Sequence, residues 1–320
     1  MESAEIVKRA ARITWQGKSL WPFGIALALF ARSAPAFGGM RHLIRVAGAQ
    51  RIVPHSGDQL ALTLATLFAI AGVLSIAMRL VAVIVRYTST GALIEMAAQA
   101  DQGGDTMFSA GLKQGWKGLL RLVLIALTVF VAALAAALVV MVCALVIAGL
   151  FALPALPMIP AGGGWRLVGI VWVTITGVAL VVILVLGAVA LSGALTVVTE
   201  LAFRSVLLGK AGTFGAIGKA IALLRGHLGE CAWVWILLGL ARLALGLVMS
   251  FAAAIAGAAM VAPALGLWRM SGTPLLPVPL IAPALVLGIA FLTVVKGVFL
   301  AFQSVTWTLV YRELEPSAGA

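Results

Sequence analysis

From Leu119 to Leu153 the chain carries one charged residue, Arg121, near the start of the run. Arg166–Phe203 carries two, Arg166 at one end and Glu200 near the other. A helix needs about 20 apolar residues to cross a bilayer. Runs of this length could be hidden in a soluble fold only under a large polar surface, and the chain lacks one. Hydrophobic residues make up 63% of it, charged residues 10%, and mean hydropathy is +1.17. A soluble domain carries roughly a quarter charged residues. The runs also lack the period-two alternation of barrel strands. The expectation is an all-α, polytopic membrane protein.

A unit of roughly 105 residues is written three times, over about 1–105, 106–212 and 213–320, and such repeats define architecture. Each copy opens with a short amphipathic stretch: Ile6–Gly17, Thr106–Trp116 and Thr213–Leu224. A long apolar run follows, then a Pro-rich break (Pro35–Asp58, Pro154–Trp165, Pro263–Pro283), then a second apolar run. The reading is a single membrane domain of six spans: Leu20–Phe37, Leu60–Met96, Leu119–Leu153, Val168–Phe203, Ala232–Leu265 and Leu280–Leu309. The first holds Pro22, Pro35 and Arg32, so a five-span alternative stays open. Met1–Ser19 carries four cations but no clean cleavage site after an apolar core, so the first span is expected to be retained. Each copy crosses twice and starts on the same side. The copies are therefore expected to be parallel hairpins related by an axis along the membrane normal.

The formal net charge of +12 follows the positive-inside pattern rather than a nucleic-acid footprint, because no basic stripe interleaves with aromatics. With the N-terminus inside, thirteen Lys and Arg fall on the inner side and six on the outer. Three more, Arg79, Arg242 and Lys296, lie within spans. Both termini are expected in the cytoplasm. Membrane lipids, and anionic headgroups at the inner face, are the expected partners.

In the first opening Ile6, Ala10, Ile13 and Gly17 line one face, opposite Glu5, Lys8, Arg9, Arg12 and Gln16. Phe108, Leu112, Trp116 and Leu119 form the stripe of the second, with Lys113, Lys117 and Arg121 beside it. Phe214, Ile217, Ile221 and Leu224 form that of the third, with Thr213 as cap and Gly226 as stop. This is the spacing of interfacial helices.

The second run of each copy is overlong. Leu60–Gln99 spans 40 residues, about 60 Å as a helix. Gly91, Gly193 and Gly297, 102 and 104 residues apart, are expected bending points, helped by neighbouring Ser and Thr. Polar residues follow them: Glu95 with Gln99, Thr196 with Glu200 and Arg204, and Lys296 with Gln303. Together with Arg86 these eight are candidates for a polar vestibule, since ionisable residues at membrane depth are functional candidates.

No zinc-protease helix, P-loop, nucleophile elbow or dinucleotide fingerprint is present. His42, His55 and His227 are dispersed, and Cys143 and Cys231 are isolated. No metal, cofactor or catalytic residue is expected, and the reading is of a protein that is not an enzyme.

The stretch Phe302-Gln303-Ser304-Val305-Thr306-Trp307-Thr308-Leu309-Val310-Tyr311-Arg312-Glu313-Leu314, with the repeats, resembles the six-helix bacterial membrane domains found alone or ahead of a glycerophosphodiester phosphodiesterase domain. The resemblance is to the membrane domain, so it implies that fold, in a bacterial inner membrane, without the hydrolytic activity. The function expected is membrane organisation, service as an accessory subunit, or lipid handling. The alternative is a permease-like subunit coupled to a cytoplasmic ATPase. A membrane-embedded lipid enzyme is a third reading.

Overall fold

The computed structural model describes residues 3–31, 57–104, 107–155, 157, 163–209, 211–271 and 278–315. Every long element among them is a helix, and no strand occurs. The elements are α1 (Ser3–Gln16), α2 (Trp21–Ala31), α3 (Gly57–Asp101), α4 (Phe108–Ala152), α5 (Gly163–Leu207), α6 (Thr213–Gly226), α7 (Leu228–Ser271) and α8 (Val278–Leu314). Single 3-10 turns cover Lys18–Leu20 and Leu153–Ala155.

Five helices are long and apolar enough to cross a membrane, over Ala69–Asp101, Phe108–Ala155, Gly163–Leu207, Leu228–Ala259 and Leu285–Leu314. They coincide with the second to sixth expected spans. The described part of the first expected span is shorter. α2 has 11 residues, and the rest of that segment, with the Arg41–Asp58 loop up to Ser56, lies outside the described residues. Pro22 sits in the first turn of α2, where its missing N–H costs no hydrogen bond.

α3, α4 and α5 are each 45 residues long, or about 68 Å. A hydrocarbon core of about 30 Å takes less than half of that. The remainder is where the protein's interior lies. In α3 nearly every residue from Thr88 to Ala98 is buried, and in α8 every residue from Val305 to Tyr311. In α5 burial runs from Leu201 to Val206. In contrast, only about 6% of the most apolar window of α3, α4, α5 or α7 is buried.

The chain groups into two compact units, and the cuts do not follow the repeat boundaries. The first holds Met1–Leu120 and Ile236–Ala320, the second Arg121–Trp235. In the first unit α2 packs on α8 and α3, and α1 packs on α8. The α2–α8 contact is backbone on backbone. A Cβ on Gly297 would fall 2.6 Å from the Ile25 Cα, and one on Gly24 would strike the Gly297 carbonyl. Gly24 with Ala28, and Gly297 with Ala301, form the small-residue ridges that allow this approach. In the second unit α6 packs on α5, with Ala216 and Ala220 buried and the Ser205 hydroxyl donating to the Ala216 carbonyl at 3.3 Å.

Two expectations change here. The second opening is no separate helix, because α4 runs unbroken from Phe108. The expected apolar stripe of Phe108, Leu112 and Trp116 is exposed, as an interfacial face would be, while Gly111, Gly115, Gly118, Leu122 and Ile125 are buried. The glycines bring α4 against α3, Gly115 at Thr88 and Ala92 and Gly111 at Met96. The stripe of the third opening faces outward likewise. Phe214 and Ile221 are exposed, and Gly212, not Thr213, occupies the cap position. Small residues permit close helix approach, and large apolar ones are left for lipid. In α1 the stripe turns onto protein instead, with Ile6 and Ala10 buried. At Gly91, Gly193 and Gly297 the helices continue without interruption. What the structure gives Gly193 is the ring of Trp235, 3.0 Å from where a Cβ would lie.

Candidate functional site

The end of α3 is set by its chain chemistry. Gly103 has φ +76, Gly104 N donates to Gln99 O, and Gly103 N donates to Ala100 O. This Schellman closure needs a residue free to adopt the left-handed region, which Gly103 supplies. It stops the helix at Asp101. The carboxylate there faces the negative end of the helix dipole, an unfavourable place for an acid. Two arginines offset it. Arg9 of α1 reaches Oδ1 at 2.6 Å and Arg312 of α8 reaches Oδ2 at 2.5 Å, with the Asp101 side chain only 8% exposed. One carboxylate thus ties three helices together.

The eight vestibule candidates are divided between the two units. In the first unit Glu95 is half-buried and accepts from Gln114 Nε2 at 3.3 Å. Gln99 and Lys296 are exposed, and so is Arg86, whose guanidinium lies 5.9 Å from the Tyr87 ring centroid. Gln303 Oε1 accepts from Arg242 Nη2 at 2.7 Å. In the second unit Arg204 is fully buried and donates to the Glu200 carboxylate at 2.6 Å and to the Glu200 carbonyl. Thr196 is exposed, with its hydroxyl donating to the Ser192 carbonyl.

Sequence reasoning missed Asp101. It closes a polar tail and precedes two glycines, so it reads as a turn residue. The available signal was the pairing of that lone acid with the Arg312 of the closing Tyr-Arg-Glu-Leu. Among the described residues no group of three His, Cys, Asp or Glu is placed to hold a metal ion. His42 and His55 lie outside those residues, and His227 stands 3.6 Å from Glu230.

The outward surface near the buried ends combines large apolar side chains with cations. Phe108, Leu112, Trp116 and Leu120 on α4 are exposed beside exposed Lys113, Lys117 and Arg121. Trp15 on α1 is 72% exposed, and its ring centroid lies 5.9 Å from that of Trp21. Indoles at this position suit the headgroup level of a bilayer. Comparison with known proteins finds no matching family model, no matching curated protein and no matching solved structure.

Proposed function

We propose that this chain is a non-enzymatic, multi-pass protein of a bacterial inner membrane whose buried helix ends form a cytoplasmic collar seated on anionic lipid. In this reading it organises the membrane or serves as an accessory subunit. The observation that carries it is the exposed face of α4, where Phe108, Leu112 and Trp116 alternate with Lys113, Lys117 and Arg121. An apolar stripe with cations beside it is the chemistry of insertion into an anionic interface.

The six-span topology, with three parallel hairpins and both termini cytoplasmic, belongs to the same proposal, as does kinship with the six-helix bacterial membrane domains. Fully buried stretches recur near the end of α3, α5 and α8, about one repeat apart, and this supports the threefold reading. Reporter fusions after Gly103, Lys210 and Ala320 should report cytoplasm, and those after Arg51, Gly163 and Gly272 the outside. A cytoplasmic signal at Gly163 would overturn the topology.

A second reading, a permease-like subunit, draws on α6. This 14-residue helix lies between two apolar helices and exposes Phe214. Photo-crosslinking residues at positions 116 and 214 separate the readings. Lipid adducts at both support the collar, and an ATPase adduct at 214 supports the permease subunit.

A further inference from the structure

An apolar groove of about 470 Å³ runs between α1, α7 and α8 in the first unit. Val295, Val298, Phe299 and Phe302 of α8 form its floor, with Trp15 and Leu245 at its sides. Its volume lies within the roughly 300–1,000 Å³ of ligand pockets. One turn from Leu245 stands Arg242, exposed although it lies inside an apolar span. Its partner, Gln303, is neutral, takes a single donor and holds the guanidinium in place. An arginine facing hydrocarbon is costly to insert. That cost is relieved if an anion meets the guanidinium, and phosphate matches its fork. Lys8, Arg12 and Lys18 are exposed on the segment that supplies Trp15, and among the described residues no carboxylate pairs with them or with Arg242. Apolar lining and unmatched positive charge select one class of occupant.

We infer that this groove binds one anionic phospholipid, with an acyl chain along Val295–Phe302 and the phosphate on Arg242. The inference rests on the reading of a chain seated in anionic lipid, but it concerns α1, α7 and α8, whereas the crosslinking positions lie on α4 and α6. The two can therefore fail separately.

The test is native mass spectrometry of the full chain released from micelles doped with phosphatidylglycerol or with phosphatidylcholine of the same acyl chains. The wild type is expected to retain one phosphatidylglycerol about tenfold more tightly, equivalent to about 1.4 kcal/mol. Arg242→Gln should bring that ratio close to one without lowering phosphatidylcholine retention. Val298→Trp, which fills the groove, should lower both. Should Val298→Trp fail to fold, brominated phosphatidylglycerol replaces it, and the quenching lost on Trp15→Phe reports chain occupancy. Equal retention of the two lipids by the wild type, an unchanged ratio in Arg242→Gln, or no quenching difference on Trp15→Phe would each overturn the site.

Discussion

Two stretches of α3 have similar apolar content and opposite surroundings. Residues 91–98 are buried except for half-buried Glu95, whereas residues 69–81 are exposed along most of their length. The buried stretch uses small residues, Gly91, Ala92, Ala97 and Ala98, among its large ones. The exposed stretch carries Ile70, Val73, Leu74, Ile76 and Leu80 outward. In water this division would be reversed, since large apolar side chains gain most from burial. In lipid they gain nothing by leaving the solvent, so backbone proximity at small residues decides what packs. The same contrast separates the glycine face of α4 from its Phe108–Trp116 stripe.

The strongest way to break this comparison is to add bulk at the two kinds of glycine. Gly297→Leu and Gly24→Leu drive a side chain into facing backbone and should destabilise by about 3 kcal/mol or more. Gly246→Ala and Gly288→Ala meet nothing within 4 Å and should stay within about 0.5 kcal/mol. Thermal midpoints of the purified full chain in detergent read the difference. Equal losses at Gly297 and Gly246 would mean that the apolar halves are packed as closely as the buried ends.

Charge sharpens the same contrast at opposite ends of α5. Glu200→Ala leaves the fully buried Arg204 without its carboxylate and should cost about 3 kcal/mol. Arg166→Ala, at the exposed start of the helix, should leave the midpoint nearly unchanged. A neutral outcome for Glu200→Ala would show that the guanidinium is satisfied without that carboxylate.

Much of this was legible in the sequence, and the rest was hidden for physical reasons. Apolar run length located the five long helices, and the helical spacing of Ile6 and Ala10 marked the apolar face of α1. At the second and third openings apolar periodicity shows that a face avoids water, not whether lipid or protein receives it. Gly111, Gly115 and Ala216 carry the packing there, and small residues leave no hydropathy signal. The candidate residues were identified as polar groups in long helices, but their partners were not. Gln114 for Glu95 is 19 positions away, and Gln303 lies 61 from Arg242. Asp101 and Arg312 are 211 apart, a distance at which no periodicity informs.

The Asp101 clamp gives a smaller expected effect. Asp101→Asn weakens the charge-assisted bond from Arg312 and removes the ion pair with Arg9, and should cost about 2 kcal/mol. Arg9→Ala should cost less, because Arg9 is mostly exposed and Arg312 remains. A double-mutant cycle should show coupling between Arg9 and Asp101, and protease sensitivity near Ile6 should rise in either variant. Additive effects with an unchanged digestion pattern would mean that α1 is held by its buried Ile6 and Ala10 alone.

The smallest effect expected is the most informative about solvent. Leu186 lies on α5 and is exposed, beside an apolar cleft of about 690 Å³ between α4 and α5 that is lined by Ala137, Ala144 and Gly187 among others. In a soluble core Leu→Ala costs about 2–5 kcal/mol. Leu186→Ala should cost no more than about 0.5 kcal/mol, because the side chain meets hydrocarbon in the folded chain and equally in an inserted, unpacked one. The measurement is the same thermal midpoint, taken at two protein concentrations. A loss above about 1.5 kcal/mol would mean that protein, not lipid, covers this surface. If that loss also grew on dilution, the covering partner would be a second copy of the chain, and the exposed half of α5 would have to be read as an interface.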